Sequence, residues 1–118
     1  MSGGVGIDLI EIDRLERALE RWPRLAKRLF TEAELAYASA RRRPARHLAA
    51  RFAAKEAAIK ALGARDVAFR EIEVVGSEPP RLELHGRAAE LAPPAGHDSL
   101  AVSLTHSREV AAAVVIPS

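Results

Sequence analysis

A chain of 118 residues, 48% hydrophobic and 29% charged, is long enough to bury a core as one domain and too apolar to stay disordered. Its net charge of +2 is too small to imply a general affinity for nucleic acid, and the lack of cysteine excludes disulfides, thiolate metal sites and a thiol nucleophile. No apolar run approaches the roughly 20 residues that span a bilayer, and the N-terminus carries no signal-peptide stretch, so a cytoplasmic protein without membrane contact is expected.

The first element, GVGIDLIEI, reads as a buried strand with Val5, Ile7 and Leu9 on one face and Gly6, Asp8 and Ile10 on the other. A carboxylate, Asp8, thus falls on a face that is not freely solvated. Asp13 is the expected N-cap of a helix, with Glu16 three residues on as in a capping box, and Pro23 interrupts that helix after about Trp22. Its apolar stripe is Leu15, Ala18, Leu19 and Trp22, and Arg14, Arg17 and Arg21 share the opposite side at spacings of three and four.

One or two further helices are expected between Pro23 and Ser39, with Thr31 as N-cap and Glu34 completing a capping box. RRRPAR reads as a loop. From about Arg46, HLAARFAAKEAAIKAL predicts the longest helix, stopped by Gly63. On a helical wheel Leu48, Phe52, Ile59 and Leu62 define its buried arc, Lys55 falls inside that arc, and Glu56 and Lys60 lie side by side at its edge.

Beyond Gly63 the period changes to that of strands. AFREIEVV and RLELH predict two strands joined by GSEPP, and GRAAELA a short helix. After a loop at PPAGHD, LAVSLTH and EVAAAVVI predict a closing hairpin with a tight connection at Ser107 and Arg108. The sum is an α+β arrangement without internal repeats.

Arginine outnumbers lysine 15 to 3, which with the abundant alanine and proline reads as compositional bias, yet two of the three lysines, Lys55 and Lys60, fall in one short segment. An ammonium is a compact, tunable point charge, so the clustering hints that lysine is wanted there. Glu56 and Lys60 are either a surface i,i+4 pair or the lining of a cleft at the rim of the core. Asp8 is either an internally paired acid or a second carboxylate in that cleft. Two carboxylates from different elements beside an amino group would suit Mg²⁺ and a substrate phosphate.

His47, His85 and His97 have no partner at a metal-ligand spacing and read as surface or packing residues. His106 ends a strand among hydroxyls that could meet a phosphate. No Walker-type loop, GxSxG or zinc signature occurs. The arginine face of the first helix is either solvated surface or a docking face for an acidic helix.

GVGIDLIEIDR, LFTEAE, RFAAKEAAIKALG, FREIEV and SLTHS followed by EVAAAVVI together resemble, in order and over essentially the whole chain, the short bacterial holo-acyl carrier protein synthases. The resemblance implies the 4′-phosphopantetheinyl transferase fold: an N-terminal strand and helices with a mostly antiparallel sheet, and residues 1–118 as a single transferase domain. It implies Mg²⁺-dependent transfer of 4′-phosphopantetheine from coenzyme A to a serine of apo-acyl carrier protein, releasing 3′,5′-ADP, a step serving fatty acid biosynthesis.

By the same resemblance Asp8 and Glu56 are the protein's ligands to Mg²⁺, and Glu56, or a water that the metal holds, removes the serine proton. Lys60 neutralises or protonates the leaving phosphate. Ser103 and His106 join Lys60 as coenzyme A contacts, and Arg14, Arg17 and Arg21 receive the carrier protein, Arg14 foremost. A homotrimer with active sites between subunits is implied, with no nucleic acid or membrane partner. The chain departs from the family's common pattern at Gly63-Ala64-Arg65 and Glu78-Pro79-Pro80, both in regions associated with coenzyme A. The competing readings are a non-enzymatic basic module for an acidic protein or RNA surface, and a relative that binds coenzyme A without transferring. Aromatic residues at 4% argue against stacking on single-stranded RNA, and the presence of Asp8, Glu56 and Lys60 argues against the latter.

Overall fold

The computed structural model describes residues 4–92 and 100–117. Strand β1 (Gly6–Glu11) leads into helix α1 (Ile12–Arg21), followed by α2 (Leu25–Leu29), α3 (Glu32–Ser39) and the long α4 (Pro44–Leu62). A 3₁₀ turn at Phe69–Glu71 opens β2 (Ile72–Val75), which pairs with β3 (Arg81–Leu84). Helix α5 (Gly86–Leu91), β4 (Leu100–His106) and β5 (Val110–Pro117) complete the chain. The main sheet is antiparallel in the order β1-β5-β4, and β2-β3 form a separate hairpin. The α+β expectation holds. The loop expected at PPAGHD, with His97, lies outside the described residues.

Helix α4 lies across the main sheet and contributes to both hydrophobic clusters of the core. Its buried arc is wider than the wheel suggested. Ala49, Ala50, Ala53, Ala54, Ala57, Ala58 and Ala61 are all buried, whereas Phe52, Ile59 and Leu62 are only partly so. The alanines are therefore core residues: their small side chains let strands approach the helix backbone, a closeness that larger residues forbid.

The capping box at Thr31 and Glu34 forms, and the Glu34 carboxylate does more than cap. Its Oε1 accepts from the Thr31 amide at 2.9 Å and meets Lys55 Nζ at 2.8 Å, while Oε2 accepts from the Val74 amide at 2.7 Å. Lys55 Nζ also donates to the carbonyls of Phe69 (3.0 Å) and Ile72 (2.6 Å). Lys55 and Glu34 are wholly buried, and the pair ties α3, α4 and β2 together. A buried ion pair persists only when its remaining donors and acceptors are satisfied, as they are here.

The expected box at Asp13 and Glu16 does not form. Helix α1 begins at Ile12 with Glu11 at the N-cap position and no side-chain cap. The Ile12 amide instead donates to the Glu109 carbonyl at 2.9 Å, so the connection between β4 and β5 satisfies a donor that a cap would otherwise take. Asp13 sits in the first turn, where its charge complements the helix dipole. Helix α4 also starts earlier than expected, at Pro44 within RRRPAR, because proline suits a first helical position and Arg43 adopts φ 56° to turn the chain into it. Gly63, at φ 70°, ends the helix as expected. Only the second half of AFREIEVV is strand, its first half forming the 3₁₀ turn.

Candidate active site

Strand β1 and helices α1, α2 and α4 enclose a cleft of about 630 Å³. Asp8 from β1 and Glu56 from α4 line it together, with Arg14 from α1 and an apolar floor that includes Leu15, Leu29 and Phe52. Alternation along β1 turns Asp8 inward with Gly6 and Ile10, and leaves Val5, Ile7 and Leu9 outward. The Glu56 carboxyl is pushed above its ordinary range, first by burial and then by the Asp8 charge, with Lys60 pulling the other way. Lys60 does not form the surface pair with Glu56 that its spacing allowed. Its Nζ reaches across to β1, donating to the Ile7 carbonyl at 2.9 Å and lying 3.4 Å from Asp8 Oδ1.

Two carboxylates from different elements, Glu56 half-buried beside the Asp8 charge, form a donor set that a hard divalent cation suits, so these residues fit Mg²⁺. Arg17 and Arg21 extend from Arg14 along the exposed face of α1, and the Arg21 guanidinium stacks 5.1 Å from the centre of the exposed Trp22 ring.

Toward the N-terminal end of α4 lies a second cleft, of about 440 Å³, lined by Tyr37, Arg41, His47, Arg51 and His106 among others. The His47 and His106 rings are 6.1 Å apart, and Arg41 and Arg51 both stack on Tyr37, at 4.2 and 4.0 Å. Arg51 is only 4% exposed; its Nη2 donates to the Gly76 carbonyl at 3.0 Å, and its Nε finds no acceptor. The His47 imidazole is held below its ordinary value by burial, then by His106, Arg46, Arg51 and Arg41 in turn. A wall of donors with one buried guanidinium nitrogen unmatched is built for an anion. Ser77, Glu78 and Pro80, from the loop that departs from the family pattern, form its other wall.

His47, read from its spacing as a surface or packing residue, lines this cleft, and so does Arg51, which the sequence reading does not single out. The signal was available: His47 and Arg51 are one turn apart on α4 and share a face. His85 also has partners, since it lies 3.2 Å from Glu73 Oε1 and near Glu83, and Thr31 Oγ1 donates to Glu73 Oε2 at 2.7 Å. That group lies on the β2-β3 hairpin, away from both clefts.

Ser103 and His106 do not share a site within one chain. Their separation by three residues on β4 puts them on opposite faces of the sheet, His106 in the second cleft and Ser103 exposed beside Val114. The two clefts are themselves opposed. His47 and Glu56 are nine positions apart on α4, which turns them about 180° from each other around the helix.

Residues 4–115 match the family described as the 4′-phosphopantetheinyl transferase superfamily, and the chain belongs to it. It is 50% identical over 115 residues to a holo-acyl-carrier-protein synthase of Moorella thermoacetica, covering 94% of this chain and 90% of that protein. Among solved structures it resembles the Mycobacterium tuberculosis acyl carrier protein synthase at 41% identity and a TM-score of 0.77, covering 98% of this chain and 96% of that one. It also resembles the Bacillus anthracis holo-acyl-carrier-protein synthase in complex with coenzyme A (3′,5′-ADP) at 32% identity and a TM-score of 0.76, covering 97% and 94%.

Proposed function

We propose that this chain, acting as one catalytic domain over 1–118, transfers 4′-phosphopantetheine from coenzyme A to a serine hydroxyl of apo-acyl carrier protein and releases 3′,5′-ADP, arming the carrier for fatty acid biosynthesis. The observation that carries the reading is the convergence of Asp8 and Glu56 in one cleft, with Lys60 against Asp8, in a chain of this superfamily. Asp8 and Glu56 would hold Mg²⁺, which when bound supplies charge withdrawal at the coenzyme A pyrophosphate.

The chain's own residues supply the rest. Glu56, lining the cleft beside Asp8, takes the serine proton as the serine Oγ bonds to phosphorus. The bond from that phosphorus to the bridging oxygen breaks, and Lys60 stabilises the negative charge that leaves on 3′,5′-ADP. Arg14 at the cleft, with Arg17 and Arg21 in a row on α1, receives an acidic helix of the carrier protein and brings its serine to Glu56. The His47, Arg51 and His106 cleft takes coenzyme A phosphates.

The two clefts face opposite sides of α4, which favours a coenzyme A held between neighbouring copies. This supports a homotrimer with sites at its subunit boundaries. So does the outer face of the main sheet, where Val5, Ile7 and Leu9 are 65–67% exposed and Ile116 is 45% exposed. Ser103 lies on that same face, where it reaches a neighbour's ligand rather than its own. A cytoplasmic setting agrees with the cysteine-free sequence and with the described helices, none of which is long and apolar enough to cross a membrane.

The test is an intact-mass assay of apo-acyl carrier protein with coenzyme A, in Mg²⁺ and in EDTA. One phosphopantetheine on the carrier serine, lost in EDTA, is the expected result. No modification of any carrier protein by the folded chain would overturn the reading.

A further inference from the structure

Strand β1 does not merely pass over α4; Gly6 at its start and Gly4 just before it touch the helix backbone. The Gly4 amide donates to the Ala61 carbonyl at 3.0 Å, and one turn earlier on the helix Gly6 lies so close to Ala57 that a Cβ built on it would overlap the Ala57 carbonyl group. Gly6 is buried and has a conformation any residue could adopt, so its backbone freedom is not what the position needs. The need is for absence of a side chain. Two residues of strand advance about 6.6 Å and four of helix about 6 Å, so strand and helix stay nearly in step, and the next inward residue after Gly6 is Asp8. Glu56 immediately precedes Ala57.

We infer that the contact of Gly6 with the Ala57 backbone is the spacer that sets the gap between Asp8 and Glu56, making Gly6 a positioning residue for the divalent cation. The inference rests on the reading of Asp8 and Glu56 as the metal pair. The obstacle at Gly6 is backbone rather than a flexible side-chain end, so a methyl there cannot be absorbed by a rotamer change; strand and helix must part. Lys60 reinforces the same gap, since its Nζ ties the Ile7 carbonyl and Asp8 to the helix one turn beyond Glu56. The alanines at 53, 54, 57 and 61 keep the rest of this helix surface equally low.

The test is Mn²⁺ titrated into the full-length protein at saturating coenzyme A without carrier protein, read by electron paramagnetic resonance, with folding followed by circular dichroism. Gly6→Ala is expected to weaken Mn²⁺ binding by on the order of tenfold to a hundredfold, the loss typical of disturbed ligand support. Adding Asp8→Glu to Gly6→Ala, one methylene longer across the widened gap, should recover part of it. Asp8→Glu alone should weaken binding, because it carries the carboxylate one methylene past the position that the spacer sets against Glu56; this arm stands even if Gly6→Ala fails to fold. Ile72→Val, a core truncation away from the contact, should lower thermal stability and leave Mn²⁺ affinity unchanged.

Wild-type affinity in a folded Gly6→Ala variant, or in Asp8→Glu alone, overturns the spacer. Equal binding by the wild type and Asp8→Ala would instead remove the metal reading beneath it.

Discussion

In the proposed reaction Glu56 both faces a second carboxylate and accepts a proton. Glu56→Gln keeps the shape and removes the base, so transfer should fall by on the order of 10²–10⁴-fold, with the fold retained by circular dichroism; near-full activity in the mass assay would sink the role. His47 is held below its ordinary value. Its depressed value means that the folded chain binds fewer protons than the unfolded one, so its contribution to stability is present above about pH 6.5 and is lost as pH falls through the depressed value. A bound phosphate favours the protonated ring. The thermal shift produced by coenzyme A should therefore be larger at pH 5.5 than at pH 7.5, and His47→Asn should flatten that difference. At this scale the sequence made Asp8, Glu56 and Lys60 legible, because a charge in an apolar strand and a lysine cluster among arginines stand out. His47 and Arg51 share a helix face that the sequence does display, but Tyr37 and His106, which complete their cleft, are brought to them only by the fold.

Helix α4 shows what a pattern of residue types can and cannot convey about an element. Its alanines read as composition, and its large residues alone define an arc on the wheel. In the structure the small residues make the closest contacts, since burial on several sides at once leaves no single apolar stripe to find. The Thr31 cap was legible because its partners lie within four residues. The start of α1 was not, because its first amide is satisfied from a connection nearly a hundred positions away. The buried clip between Lys55 and Glu34 yields a prediction at this scale. Lys55→Met strands a carboxylate in the core and should destabilise the chain by about 3–5 kcal/mol in urea unfolding. The double variant Lys55→Met with Glu34→Leu should recover much of that loss, and equal stability of the two variants would show that the clip carries no net charge coupling.

For the whole molecule, the decisive feature is that the chain's outer sheet face is apolar while its two clefts look away from each other. Ile116→Asp, placed on that face and lining neither cleft, should leave a folded chain that scatters light as a monomer and has lost transfer; a trimer of undiminished activity would refute the link between assembly and reaction. The pairing of Ser103 with His106 is not resolved along one strand, since strand period puts them on opposite faces of the sheet. Fold class was within reach of the sequence because strand and helix periods are local. The division of the site was not, because it depends on which way a helix nineteen residues long presents each of its faces.

That division has a consequence for mixtures of chains. Two disabled proteins, one lacking Glu56 and the other lacking Arg51, each retain the half that the other has lost. Co-assembled, they would form boundaries at which both intact halves meet, so activity would reappear by complementation although neither parent has any. In the proposed assembly a defective copy would be costly to its neighbours: one poor chain would spoil boundaries on either side of it, and the damage would be shared by subunits whose own sequence is sound.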